Sequence, residues 1–227
     1  MKKQFLSFTS VALLLSLVML SSCKKDEEAT KNYANVLVTH ASPDAPGVDL
    51  LISDAKQNTS ALNYPLNTGY LQVEAGTRNI KVNVAGTPTS VINKDLTLEK
   101  DKNYSVFAID SVSKLSALVL TDDLTAPASG KAHIRFIHLA PNSPQVDFSV
   151  LGGSVDFTNK SFKDYTAFTP VDAGTYTISV EFTQTQSFFA ALPGINLQAG
   201  KIYTVFTKGL IGATGAQILG AEIIVNK

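Results

Sequence analysis

The chain has 227 residues with 19 basic and 19 acidic side chains, so its formal net charge is zero. No basic cluster interrupts that balance, which excludes nucleic acid as a partner. An apolar content of 44% is enough for a buried core, and a single Cys leaves no disulfide to support it.

Lys2 and Lys3, followed by the apolar run Phe5 to Leu20, predict a signal peptide over 1–22. The run falls short of the about 20 apolar residues that a membrane span needs. It closes on Leu20-Ser21-Ser22-Cys23, which resembles the lipobox of bacterial lipoproteins. That resemblance implies lipid attachment at Cys23, with palmitate among the acyl chains, and a membrane partner reached through this anchor. It also gives the one cysteine of the chain a role. Lys24-Lys25-Asp26-Glu27-Glu28 is too rich in charge to bury, so 23–34 reads as a flexible tether. A Lys followed by acidic residues after the lipidated Cys also resembles an export signal of certain Gram-negative lineages, which implies display on the outer membrane, exposed at the cell surface. Loss of Lys2 and Lys3 with the leader leaves 17 basic against 19 acidic groups, a net charge of −2.

The rest of the chain repeats itself. His40-Ala-Ser-Pro-Asp-Ala-Pro-Gly-Val-Asp49 recurs 98 residues later as His138-Leu-Ala-Pro-Asn-Ser-Pro-Gln-Val-Asp147. Val73-Glu-Ala-Gly-Thr77 recurs at the same offset as Val171-Asp-Ala-Gly-Thr175. Leu98 to Phe107 matches Leu197 to Phe206 one residue out of phase. A period this long makes each copy a domain and not a solenoid unit. The expected domains are 35–126 and 132–227, joined by a short linker, 127–131, that sets them end to end. Val36–His40, Ile134–His138, Tyr104–Ile109 and Tyr203–Thr207 read as strands, and Ile80/Val82/Val84 and Ile178/Val180/Phe182 alternate with polar neighbours. The two Ala-Gly-Thr sequences read as hairpin turns. About seven short strands per copy predict an all-β protein of two tandem immunoglobulin-like (fibronectin-like) antiparallel β-sandwiches.

Leu197-Gln-Ala-Gly-Lys-Ile-Tyr203, echoed by Leu98-Glu-Lys-Asp-Lys-Asn-Tyr104, resembles the tyrosine corner of such sandwiches. Lys100-Asp101 stands where the second copy has Ala199-Gly200, a departure that weakens the corner in the first copy. The His-x-Ser/Ala-Pro-Asp/Asn-x-Pro-x-Val-Asp block, the Ala-Gly-Thr and the Leu-x-x-x-Lys-x-Tyr strand together resemble the bacterial and archaeal family called domain of unknown function 4397. The resemblance implies extracytoplasmic β-sandwich modules, often in tandem, and no site residues to transfer.

Chemistry has few places to reside. His40 with Asp44 and Asp49, and His138 with Asn142 and Asp147, are the candidate metal ligands. Strand parity places each His over a core and each Asp on the opposite face, so no metal is expected and the His are read as structural. His133 lies on an outward face, no Gly-x-Ser-x-Gly elbow is present, and the acids are scattered. Gly209–Gly215 lacks the Lys-Ser/Thr of a phosphate loop and reads as a hairpin tip carrying Leu210 and Ile211. Phe188-Phe189 should expose one ring, and Tyr64, Tyr70 and Tyr165 are the aromatic residues that a glycan could use in a chain without Trp. Asp110-Ser111-Val112 resembles an envelope O-glycosylation acceptor, with Ser111 the modified residue. These readings predict a non-catalytic envelope lipoprotein without a cofactor, acting in adhesion or in binding an envelope protein or glycan. The alternative is a structural spacer or accessory subunit of an outer-membrane complex. An enzyme is not expected.

Overall fold

A computed structural model describes residues 32–227, and the signal peptide, Cys23 and most of the expected tether lie outside them. The described chain from residue 32 on belongs to one compact unit, Lys31–Lys227. Its first half carries β1 (Tyr33–His40), β2 (Val48–Ile52), β3 (Ala55–Lys56), β4 (Asn67–Glu74), β5 (Gly76–Val84), β6 (Ser90–Leu98), β7 (Asn103–Ile109) and β8 (Ser116–Asp122). The second half repeats them in order as β9 (Lys131–His138), β10 (Val146–Leu151), β11 (Asp156–Lys160), β12 (Thr169–Asp172), β13 (Gly174–Phe182), β14 (Phe188–Leu197), β15 (Ile202–Lys208) and β16 (Gly220–Val225). The expected tether ends early. Tyr33 and Ala34 already belong to β1, where Ala34 is fully buried opposite Val73.

Each copy is a sandwich of two four-stranded sheets, β4-β1-β7-β8 over β3-β2-β5-β6 and β12-β9-β15-β16 over β11-β10-β13-β14. All pairs are antiparallel except β1 with β7 and β9 with β15. Val36, Val38, Leu50, Ile80, Val82 and Val106 fill the first interior, and their counterparts Ile134, Phe136, Phe148, Ile178, Val180 and Val205 fill the second. The Ala-Gly-Thr sequences are not hairpins. β4 pairs with β1 and β5 with β2, not with each other, so at Ala75-Gly76 the chain crosses from one sheet to the other as it turns back. Gly76 takes φ +105° there, a value that a side chain would resist.

Two details explain the sequence repeat. The slip from 98 to 99 residues is a β-bulge in β14: Ile178 pairs with Leu192 and Tyr176 with Ile195, so Pro193 and Gly194 stand against Thr177 alone. The tyrosine corner is present in both copies. The Tyr104 hydroxyl accepts the Glu99 N–H and that of Tyr203 accepts the Gln198 N–H, each at 3.0 Å. Asp101 adopts φ +61° where Gly200 has +79°, which an Asp tolerates better than most residues, so the departure leaves the first corner intact.

The copies do not lie end to end. Sheets β4-β1-β7-β8 and β12-β9-β15-β16 pack face on face over a third apolar core, in which Leu37, Phe107, Ile109 and Leu120 meet Ile137, Leu139, Phe206 and Ile224. β1, β7, β9 and β15 are therefore buried on both faces. Phe107 meets Phe206, its own counterpart, and Lys227 Nζ donates to Leu124 O where the two copies' last strands end. The Tyr64 phenol, from the opposite end of the first copy, lies beside the Gly209 backbone of the second. The copies are thus related by an approximate two-fold axis along the strands, and both sets of inter-strand loops that follow β1 and β9 emerge at one end.

Candidate functional site

The repeated His-Pro block builds that loop end. Nε2 of His40 bonds Pro46 O at 2.9 Å, and Nε2 of His138 bonds Pro144 O at 3.1 Å. A carbonyl only accepts, so Nε2 carries the proton and Nδ1 is the free lone pair. In the second copy Nδ1 meets the Thr207 hydroxyl at 2.9 Å and the Ala140 N–H at 3.3 Å. The first copy has Ala108 in place of Thr207, and His40 Nδ1 is left without a partner. An aromatic ring stands edge-on to each imidazole, Tyr64 at 6.1 Å and Phe162 at 6.4 Å. Burial holds both histidines below their usual pKa, against the opposing pull of the proline carbonyl. They are neutral braces of the β1–β2 and β9–β10 loops.

The acidic members of the block work elsewhere. Asp44 accepts the Val112 N–H at 2.8 Å, and Asn142 clamps Ile211 through both its N–H and its carbonyl, so each ties the first loop of its copy to the last. Asp49 faces away from His40 and takes the Lys56 ammonium at 2.8 Å and the Gly86 N–H at 3.0 Å. The Lys56 bond, then that of Gly86, hold its carboxyl below the ordinary range. Asp147 takes the Asn159 N–H and the Thr183 hydroxyl. Each block's His and Asp thus serve opposite faces, and no group of three His, Cys, Asp or Glu among the described residues could hold a metal.

Of eight exposed large apolar side chains among the described residues, six lie at this end: Leu66, Val112, Tyr165, Phe188, Ile211 and Ile218, from 46 to 68% exposed. They sit in the β3–β4, β7–β8, β11–β12 and β15–β16 loops and at the start of β14. Phe188 is the exposed ring of its pair, while Phe189 stacks on Phe182. The tyrosines are mostly committed inside. Tyr64 and Tyr70 are half-buried beside the junction of the copies, and that burial pushes both phenols up. Only Tyr165 of the three stands open to a ligand. Ser111 is half-buried in the β7–β8 loop, its hydroxyl 3.3 Å from that of Ser113.

Between the copies lies a closed polar ring that the sequence did not announce. Arg135 NH1 bonds Asp122 Oδ1 at 2.6 Å, NH2 donates to Ser105 Oγ at 3.0 Å and Nε to Thr204 Oγ1 at 2.8 Å. Ser105 and Tyr70 donate to Asp122 Oδ2, Thr204 donates to Asn226 Oδ1, and Asn226 Nδ2 donates to the Tyr70 oxygen at 3.1 Å. The Arg135 guanidinium also lies over the Phe168 ring, 4.4 Å from its centroid. With both charges buried and their hydrogen bonds made within the protein, the ring can clamp the copies but offers no open group to a substrate.

Fold and site define a tandem immunoglobulin-like sandwich protein with a shared core and a single loop end. The chain belongs to the family described as Domain of unknown function (DUF4397), whose model matches residues 34–149, from β1 across the join between the copies into β10. No curated protein matches it. Among solved structures, the Eubacterium rectale Amy13K carbohydrate-binding module CBMbc of family 26, in complex with maltoheptaose, is 11% identical at a TM-score of 0.25. That match covers 84% of this chain and 95% of that one. A candidate cell adhesion protein from Bacteroides uniformis is 9% identical at a TM-score of 0.22, over 87% of this chain and 98% of that one.

Proposed function

We propose that the protein is a non-catalytic cell-envelope lipoprotein, anchored by acylated Cys23 in the outer membrane, that binds a protein partner through its loop end. The observation that carries this reading is the gathering, among the described residues, of six of the eight exposed large apolar side chains at the end opposite Tyr33, where β1 begins. The anchor joins the chain before Tyr33, so an eight-residue β1 rising about 3.3 Å per residue separates the loop end from that attachment by roughly 26 Å. Aliphatic residues dominate the patch, and isolated exposed apolar groups gain meaning only when they cluster. Leu, Val and Ile favour a protein surface over a sugar, which prefers aromatic faces. Ser111, in one of the same loops, is the proposed O-glycan acceptor.

Fractionation of cells carrying Cys23→Ala tests the anchor. The variant should leave the membrane fraction, because acylation needs the thiol and stable attachment needs more than one chain. An unchanged membrane distribution would contradict it. Protease shaving of intact cells tests display, and protection of the loop end from external protease would contradict surface exposure.

A further inference from the structure

Across the approximate two-fold axis, Phe107 answers Phe206, Ser105 answers Thr204 and Leu120 answers Ile224. The polar ring breaks this likeness in charge. Leu37 holds the place of Arg135, and Asn226 holds the place of Asp122. Lys208 and Glu222 bond each other at 2.9 Å within the second copy and add no net charge to its face. One face therefore presents a buried carboxylate and the other a buried guanidinium, with side-chain exposures of 0 and 3%.

The first copy's face laid on its own twin would bury two carboxylates and no cation. The second copy's face on its twin would bury two guanidiniums and no anion. A buried charge without its partner is among the least tolerated features of a protein interior. We infer that Asp122 and Arg135 form a recognition pair. The first copy's sheet is a docking surface whose fitting partner is the Arg135 face of this protein, on the same chain or on a second one, and like faces reject each other. The shared apolar core supplies adhesion and the ring supplies the choice. Between Asp122 and Lys131 lie eight residues, which extended could reach roughly 26 Å and so permit two chains to exchange copies.

Charge exchange in the intact mature chain tests this. Asp122→Arg leaves two cations at the junction and Arg135→Asp leaves two anions, so each variant alone should lose the parent's melting transition or melt well below it. A chain carrying both changes should keep the parent's mass in solution and melt closer to the parent than either single variant. The two single variants refolded together should form a 1:1 pair with twice the mass of one chain, because each then offers the face that the other lacks. Single variants that melt like the parent would overturn the inference. So would a double variant no better than the worse single one, or a mixture that yields no paired species.

Discussion

The rings of Phe107 and Phe206, which occupy the same place in the two copies, meet edge to face with centroids 6.2 Å apart. Both are fully buried, so neither sandwich completes its surface without the other. Unfolding should therefore be one cooperative transition. Phe206→Ala should cost about 3–5 kcal/mol and lower the melting of the whole described unit, as calorimetry would show. Two separate transitions, only one of them shifted, would mean that the copies are independent.

Acid should weaken the protein in a defined window. His40 and His138 have folded pKa values below 6.5, so the unfolded chain binds protons first as the pH falls. Stability is fully present above 6.5 and declines below it. Asp49, whose pKa is lowered from 3.8, adds its own loss only in more acidic solution. Melting temperature measured from pH 8 to pH 5 should fall below pH 6.5, and His40→Gln with His138→Gln should flatten that fall.

Truncation of one brace should act on stability alone. His138→Ala removes the imidazole's bonds to the Pro144 carbonyl and to the buried Thr207 hydroxyl, at about 1–3 kcal/mol. Zinc, calcium or chelator should leave the parent's melting temperature unchanged, since a ligand of the native state would raise it. A metal-dependent rise that vanishes in His138→Ala would restore the metal reading.

Much of this fold was legible in the sequence. The duplicated blocks marked out the two β-sandwich copies, though each has eight strands and not about seven, and Tyr104 and Tyr203 marked the corners. The bend at Gly76 was not legible, because a strand that crosses between sheets and a hairpin share the same Ala-Gly-Thr signal. The inter-copy face is not visible in an alternation that follows one side of each strand. Leu37, Phe107, Ile109, Ile137 and Phe206 fall on the opposite parity, and that near-continuous apolar run is the signal of strands buried on both faces. Arg135, charged within such a run, was the visible trace of the ring. Which loops carry the exposed patch depends on how the copies pack, which local pattern does not encode.

A loop end that docks on a protein at the cell surface should be within crosslinking reach of that partner. Photo-crosslinking residues placed singly at Leu66 and Ile211, with Leu151 and Val225 at the opposite end as controls, test it on intact cells. One discrete protein adduct should form at both loop positions and at neither control. No adduct at Leu66 and Ile211, or the same adduct at Leu151 and Val225, would contradict it.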